Sequence, residues 1–255
     1  MPGNEVEVAR YLFSNLGKLK LPYFGMIESI GSPRSNSAGY YPISRPDQLR
    51  LISSPDASKK ADIYLNGIGV SVKQSGSCFA FNRIQRANIQ ALFMQLGFSD
   101  INAKLSRIDK EVQRFHEGSL STRNRPWEDF FAENDFKKLL EYLMMRGSPN
   151  LGPSNHPAQF ILEAEEYSGS WRIDVYSFED YFTKYKSNFR IAIRRQWIGQ
   201  DSNSEHNRAV GLAKKSGNKP WVFDNAVGIP NSGWRAGFPE KCRKTVYFLM
   251  IEKLP

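Results

Sequence analysis

Cysteine and histidine are scarce in this chain of 255 residues. It holds two cysteines, Cys78 and Cys242, and three histidines, His116, His156 and His206. Neither cysteine has a second cysteine or a histidine near it at zinc-ligand spacing, which excludes a zinc module or a disulfide framework as the organising device. The two cysteines read as ordinary reduced thiols. Long apolar runs are missing as well: stretches such as Val246 to Ile251 fall far short of the roughly 20 residues that span a bilayer. The N-terminus, MPGNEVEVARYLF, has acids where a signal peptide carries a basic region and an apolar core. A cytoplasmic protein with no membrane partner is therefore expected. Acid is locally absent too, with no Asp or Glu between Asp62 and Asp100.

Positive charge is in excess. Lys and Arg number 35 against 26 Asp and Glu, a formal net charge of +9, which suits a polyanionic partner. From Lys186 to Lys244 twelve basic residues face four acids, so nearly all the excess lies in the last quarter.

The most informative stretch is Ala61 to Gln74, ADIYLNGIGVSVKQ. Asp62, Tyr64 and Asn66 alternate with Ile63 and Leu65, and Ser71 and Lys73 alternate with Val70 and Val72, so strand periodicity runs on both sides of a turn at Asn66-Gly67. Two strands joined this way are antiparallel neighbours, which brings Asp62 beside Ser71 and Lys73. A carboxylate suits a hard cation such as Mg2+, and a nearby ammonium can orient a water or offset charge growing on a phosphate.

Asp62 followed by Ser71-Val72-Lys73 resembles the signature of the PD-(D/E)xK nuclease superfamily, most of all its type II restriction endonuclease branch. The resemblance covers residues 61–75, with two departures: Ala61 stands where the pattern has proline, and Ser71 where it has a second acid. It implies a restriction-endonuclease-like fold, Mg2+ as cofactor, double-stranded DNA cut at a short specific site, and a homodimer matched to the twofold symmetry of that site. Carried onto this chain, Asp62 binds metal, Lys73 positions or activates water and Ser71 lines the site. The missing carboxylate must then come from elsewhere. Glu28, a lone acid among Met26, Ile27 and Ile30, either points to solvent or turns inward to meet a metal, and in the related nucleases an early glutamate fills this role. Asp56, in Pro55-Asp56, precedes the strand and ranks below Asp62.

The whole chain reads as one α/β nuclease domain, residues 1–255, with a mixed central β-sheet flanked by helices. Residues 5–17 form an amphipathic helix. The stretch 61–97 is the catalytic hairpin followed by a helix, FNRIQRANIQALFMQLG, whose first turn offers Arg83 and Arg86 to a DNA backbone. A helical insertion occupies 99–150, including an amphipathic helix from Ile101 to Phe115 with a solvated charged face. Strands return at Gln159 to Ala164, Trp171 to Tyr176, Phe189 to Trp197 and Val246 to Ile251, with a capped helix after Ser177.

The basic region 186–245 is the expected DNA reader. Arg194, Arg195, Gln196, Asn207, Arg208 and Arg235 have the chemistry to read base edges, while Lys214 and Lys215 suit phosphates. Flexible loops are expected around Asp201 to Ser216 and Val227 to Gly237. Two other readings remain open: a non-catalytic DNA-binding protein in which Asp62 and Lys73 form a surface ion pair, and an HNH-type nuclease centred on His206 in Ser204-Glu205-His206-Asn207.

Overall fold

A computed structural model describes residues 5–35, 37–53, 59–75, 78–228 and 233–254. Asp56 and part of the loop expected at 227–237 lie outside the described residues. The strands in chain order are β1 (Lys20–Leu21), β2 (Gly25–Met26), β3 (Ile30–Pro33), β4 (Tyr40–Pro42), β5 (Ile63–Leu65), β6 (Ile68–Gln74), β7 (Phe79–Ile84), β8 (Asn124–Pro126), β9 (Gly147–Ser148), β10 (Gly152–Pro153), β11 (Phe160–Tyr167), β12 (Ser170–Tyr176), β13 (Phe189–Ile198), β14 (Val222–Phe223) and β15 (Lys244–Lys253). The helices are α1 (Glu5–Ser14), α2 (Arg86–Gln95), α3 (Ile101–His116), α4 (Glu133–Glu141), α5 (Phe178–Tyr185) and α6 (Asn203–Ala213). The class is the expected mixed α/β, and the chain divides into two compact units: residues 1–79, 139–188 and 254–255 make the first, and 80–138 with 189–253 the second.

The first unit is built on a six-stranded sheet of order β12-β11-β6-β5-β3-β4. All its ladders are antiparallel except β6–β11, which is parallel. Alternation sorts its side chains. Ile63, Leu65, Val70, Val72, Leu162, Ala164 and Val175 share one face, and together with Val8, Ala9 and Leu12 of α1 they form a dry core. The opposite face carries the polar set. The hairpin between β5 and β6 is pinned by Asn66 (φ 48°) and Gly67 (φ 81°), both left-handed as a type I′ turn requires. Gly69 is fixed by close approach: a Cβ there would sit 2.5 Å from the Pro157 carbonyl and 3.0 Å from the Ala61 Cβ.

The second unit holds a sheet of order β14-β15-β13-β8, with β7 added on β15. The long β13–β15 ladder runs in one register from Phe189↔Lys253 to Ile198↔Lys244. Helix α6 lays Ala209 and Leu212 on Val246 and Phe248. An aromatic cluster of Phe93, Phe98, Phe131, Phe136 and Trp127 fills another part of this unit.

Two expectations are corrected here. Phe79–Ile84 is a strand, so the helix begins only at Arg86; pairing with β15 overrides the helical spacing of a short stretch. Asn203–Ala213 is a helix, not a loop: the Ser202 hydroxyl accepts from the Glu205 amide, and the apolar contacts of Ala209 and Leu212 outweigh the polar composition. The helical insertion expected at 99–150 holds, after α3, a single turn at Trp127–Asp129, α4, and a π-helical turn at Tyr142–Arg146.

Candidate active site

Register places the polar face of the first unit residue by residue. The Asp62 amide donates to the Val70 carbonyl at 2.8 Å, extending β5 backwards, and Ile63 opposite Val70 puts Asp62 across from Ser71. Lys73 follows two residues later on the same side. On the parallel neighbour Glu163 pairs with Lys73, and on the next strand Asp174 pairs with Glu163.

Asp62, Ser71 and Lys73 are linked by a directed chain of hydrogen bonds. Lys73 Nζ donates to Ser71 Oγ at 2.7 Å and to the Val72 carbonyl at 2.9 Å. Ser71 Oγ donates to Asp62 Oδ2 at 3.3 Å, and the Val72 amide donates to the same oxygen at 2.7 Å. Lys73 Nζ lies 3.7 Å from Asp62 Oδ2, with the two side chains 19% and 31% exposed. The pair is thus shielded yet reachable, so its charges act at a lower dielectric than in bulk water.

The entry to this strand is held by His156, which is buried. Its carbonyl accepts from the amides of Lys60 and Ala61 at 3.0 and 2.8 Å. Its ring bridges the Arg34 carbonyl at Nε2 (2.7 Å) and the Tyr64 hydroxyl at Nδ1 (2.9 Å). The carbonyl needs a donor, so Nε2 carries the proton and Nδ1 accepts from the tyrosine. His156 is therefore a brace for the entry to the Asp62 strand.

Two residues that sequence patterning passed over belong to this face. Lys60 stands two residues before Asp62, in the same alternation. Its Nζ donates to the Leu143 carbonyl at 2.8 Å. Burial and the charge of Lys73 push its ammonium down to about 8, with Asp62 pulling the other way. Glu163, 2% exposed, is the carboxylate in register with Lys73. Tyr181 and Tyr185 of α5 donate to its two oxygens at 3.3 and 2.5 Å, and Lys184 Nζ lies 3.7 Å away. A buried carboxylate is tolerated because these donors replace its water. Nothing in QFILEA marks it; only the ladder does.

Glu28 is not brought to this cluster. It is exposed, and its amide donates to Asn66 Oδ1 at 2.9 Å, at the turn end of the hairpin. Asp62 lies four residues back along the strand, about 13 Å away at 3.3 Å per residue. Among the described residues no group of three His, Cys, Asp or Glu side chains converges as a metal cage. The donor set that does exist is the Asp62 carboxylate and the Ser71 hydroxyl. That fits Mg2+, which keeps several waters and takes one or two carboxylates plus substrate phosphate rather than a full protein cage.

The expected DNA-contacting residues all fall in the second unit, and most are engaged internally. Arg86 makes a two-pronged bond to Asp109, at 2.7 and 3.0 Å. The α2 N-terminus is already capped, since the Ala87 amide donates to Asn218 Oδ1 at 2.8 Å. Arg194 pairs with Glu252, and buried Gln196 donates to Glu205 Oε2 at 2.5 Å. Arg208 holds the other Glu205 oxygen at 2.8 Å. Arg235 bonds the Gln200 carbonyl and Asn203 Oδ1, Lys215 bonds Gln85, and Arg195 lies over the rings of Phe115 and Trp197. Arg83 rests over Phe248 and is exposed, as are Asn207 and Lys214. His206 Nδ1 accepts from the Gly199 amide at 3.0 Å, and its ring meets Phe238 edge-on.

No family model matches the chain, and no match is found among curated proteins. Among solved structures the chain is similar to the restriction endonuclease MspI in complex with its cognate DNA, at 12% identity and a TM-score of 0.28, covering 78% of this chain. This chain spans 66% of that protein's length. So loose a superposition does not establish a common fold. No helix among the described residues is long and apolar enough to cross a membrane.

Proposed function

We propose that this protein is a Mg2+-dependent endonuclease of the PD-(D/E)xK type, cutting double-stranded DNA at a short specific site as a type II restriction enzyme does. The observation that carries this reading is the relay Lys73 to Ser71 to Asp62 on one sheet face. Asp62 and Ser71 would hold the metal, whose chemistry when bound is positive charge set against the charge developing on the scissile phosphate. Ser71 holds the Lys73 ammonium over Asp62 instead of letting it swing into solvent. From there Lys73 orients an attacking water and offsets charge on the phosphate oxygens. The water oxygen forms the new bond to phosphorus and releases its proton to bulk solvent, while the bridging ester oxygen leaves with the electron pair and takes a proton from solvent.

Glu163 stands behind Lys73 in this reading, a carboxylate in register with the lysine on the neighbouring strand. Arg83, together with Arg195, Asn207, Arg208 and Lys214 of the basic region, is proposed to meet DNA, with the copies paired as a homodimer.

The test is digestion of a long unmodified DNA of known sequence with Mg2+ or with EDTA. Discrete fragments that require Mg2+ and disappear in both Asp62→Ala and Lys73→Ala are expected. Binding without cutting under any divalent metal would leave a non-catalytic DNA-binding protein. Cutting that survives both substitutions would remove the hairpin from the chemistry.

A further inference from the structure

The outer face of α3 carries a line of cations. Arg107, Lys110 and Arg114 recur at three and four residues, so they form one stripe along the helix. Arg125 of β8 joins them, and with Glu111 and Asp129 they line a shallow recess of about 350 Å³. The two carboxylates are occupied from within the protein. Glu111 is buried between Arg114, at 2.6 Å, and Arg125, at 3.7 Å, while Asp129 takes Arg125 at 2.6 Å. Arg107 and Lys110 are exposed and pair with no carboxylate among the described residues. Four cations against two acids leave a net +2, carried outward by Arg107 and Lys110.

The shape of this charge selects the partner. Seven residues of helix separate Arg107 from Arg114, a span of about 10 Å at 1.5 Å per residue. Along the duplex axis one strand passes a phosphate about every 3.4 Å, so a line of cations of this length lying beside the duplex runs past more than one phosphate. Charges strung along a rigid rod fit a linear polyanion better than a single phosphate group, which calls for donors converging on one point. None of the exposed large apolar side chains among the described residues lies on α3, so the face has nothing to insert into a lipid surface. No aromatic ring lines the recess, so it offers no stacking platform for a base.

We propose that the Arg107, Lys110 and Arg114 face of α3 is a sequence-independent docking surface for a nucleic-acid backbone. It rests on the reading of the protein as one that acts on DNA, and it adds a contact surface outside the basic last quarter of the chain. Its role is to position the duplex, with no part in base selection.

The experiment measures binding of the full chain to two unrelated 20-base-pair duplexes by fluorescence anisotropy, in EDTA so that nothing is cut, between 50 and 200 mM salt. Wild type, Arg107→Gln/Lys110→Gln and Lys214→Gln/Lys215→Gln are compared. For the α3 variant the plot of log affinity against log salt becomes shallower by about 1.8, two contacts at about 0.9 each. Its affinity falls by the same factor on both duplexes. A wild-type slope and affinity overturn the inference while leaving the nuclease reading intact, and so does a loss confined to one duplex. Loss of binding to phosphatidylserine vesicles with unchanged DNA binding would overturn it in favour of a membrane. A shifted slope in a protein that never cuts DNA would uphold the docking surface and remove the nuclease reading alone. Wild type that binds neither duplex removes both.

Discussion

Replacing Arg86 with alanine separates a structural arginine from a DNA-reading one. Arg86 Nε and Nη2 donate to the two oxygens of Asp109, and Trp221 Nε1 donates to Oδ1 at 2.7 Å. The arginine and aspartate side chains are 17% and 26% exposed. Removing one partner of a fully buried pair costs about 3–5 kcal/mol, because the other charge is stranded. Residual exposure lets water recover part of that, so about 2–3 kcal/mol is expected for Arg86→Ala. For a chain of this size that corresponds to a fall in Tm of about 5–10 °C. Urea unfolding followed by tryptophan fluorescence should show the midpoint drop with the slope unchanged. The double variant Arg86→Met/Asp109→Asn keeps an acceptor for Trp221 and removes the stranded charge, so it should recover at least half of the loss. DNA affinity per folded molecule should not change. An Arg86→Ala protein that keeps its midpoint but loses DNA affinity would refute the assignment and return Arg86 to the backbone-contacting set.

Two other perturbations test the braces of each unit. His116 is buried against Phe223, accepts at Nδ1 from Tyr247 and bonds Asn225 through Nε2; burial lowers its pKa below the ordinary value. The unfolded chain therefore takes up a proton that the folded one resists. Stability is complete above about pH 6.5 and falls below it, by at most about 1.4 kcal/mol per pH unit, until the folded value is passed. His116→Gln should flatten that dependence in denaturation midpoints from pH 7.5 to 5; an unchanged profile would show that another group carries it. Asn66 accepts from the amides of Glu28 and Ser29 and donates to the Met26 carbonyl, all in a left-handed conformation. Asn66→Ala should cost about 4 kcal/mol, at about 1 kcal/mol for each of the three bonds and for the left-handed backbone, and Asn66→Gly should recover only the backbone part. Equal urea midpoints for the two variants would mean that the left-handed backbone contributes nothing, and a wild-type midpoint for Asn66→Gly would mean the same of the side-chain bonds.

What patterning made legible was local. The Asn66-Gly67 turn fixes the register of its own hairpin, so Asp62, Ser71 and Lys73 were placed together from a fourteen-residue window, and the structure joins them by hydrogen bonds. The helices at α1, α3 and α5 and the strands β11, β12, β13 and β15 likewise declare themselves by their own periodicity. Pairings between distant segments do not. Glu163 meets Lys73 only through a parallel ladder, and Glu252 and Asp109 neutralise arginines far away in sequence. Arginines in the last quarter therefore read as free cations although much of their charge is spent inside the second unit. The charged face of α3 read as solvated, and Arg107 and Lys110 on it are exposed, while spacing alone does not reveal that Glu111 and Asp129 are already paired. Glu28 read as a ligand because an acid among apolar residues looks turned inward; the turn that holds its backbone aims it elsewhere.

The parallel ladder between β6 and β11 also sets the order of events on the ribosome. The Asp62, Ser71 and Lys73 relay belongs to a single hairpin, whose formation takes about 1–10 μs once the chain is free. Glu163, the register partner of Lys73, is translated ninety positions later. At about 5–20 residues per second the lysine strand thus waits roughly 5–20 s for the neighbour that covers its other edge. During that interval β6 is a sheet margin with open backbone donors and acceptors, the sort of edge that invites pairing with another nascent chain. Completion of the relay's surroundings is therefore a late event, and the vulnerable period in this protein's synthesis lies between the two strands.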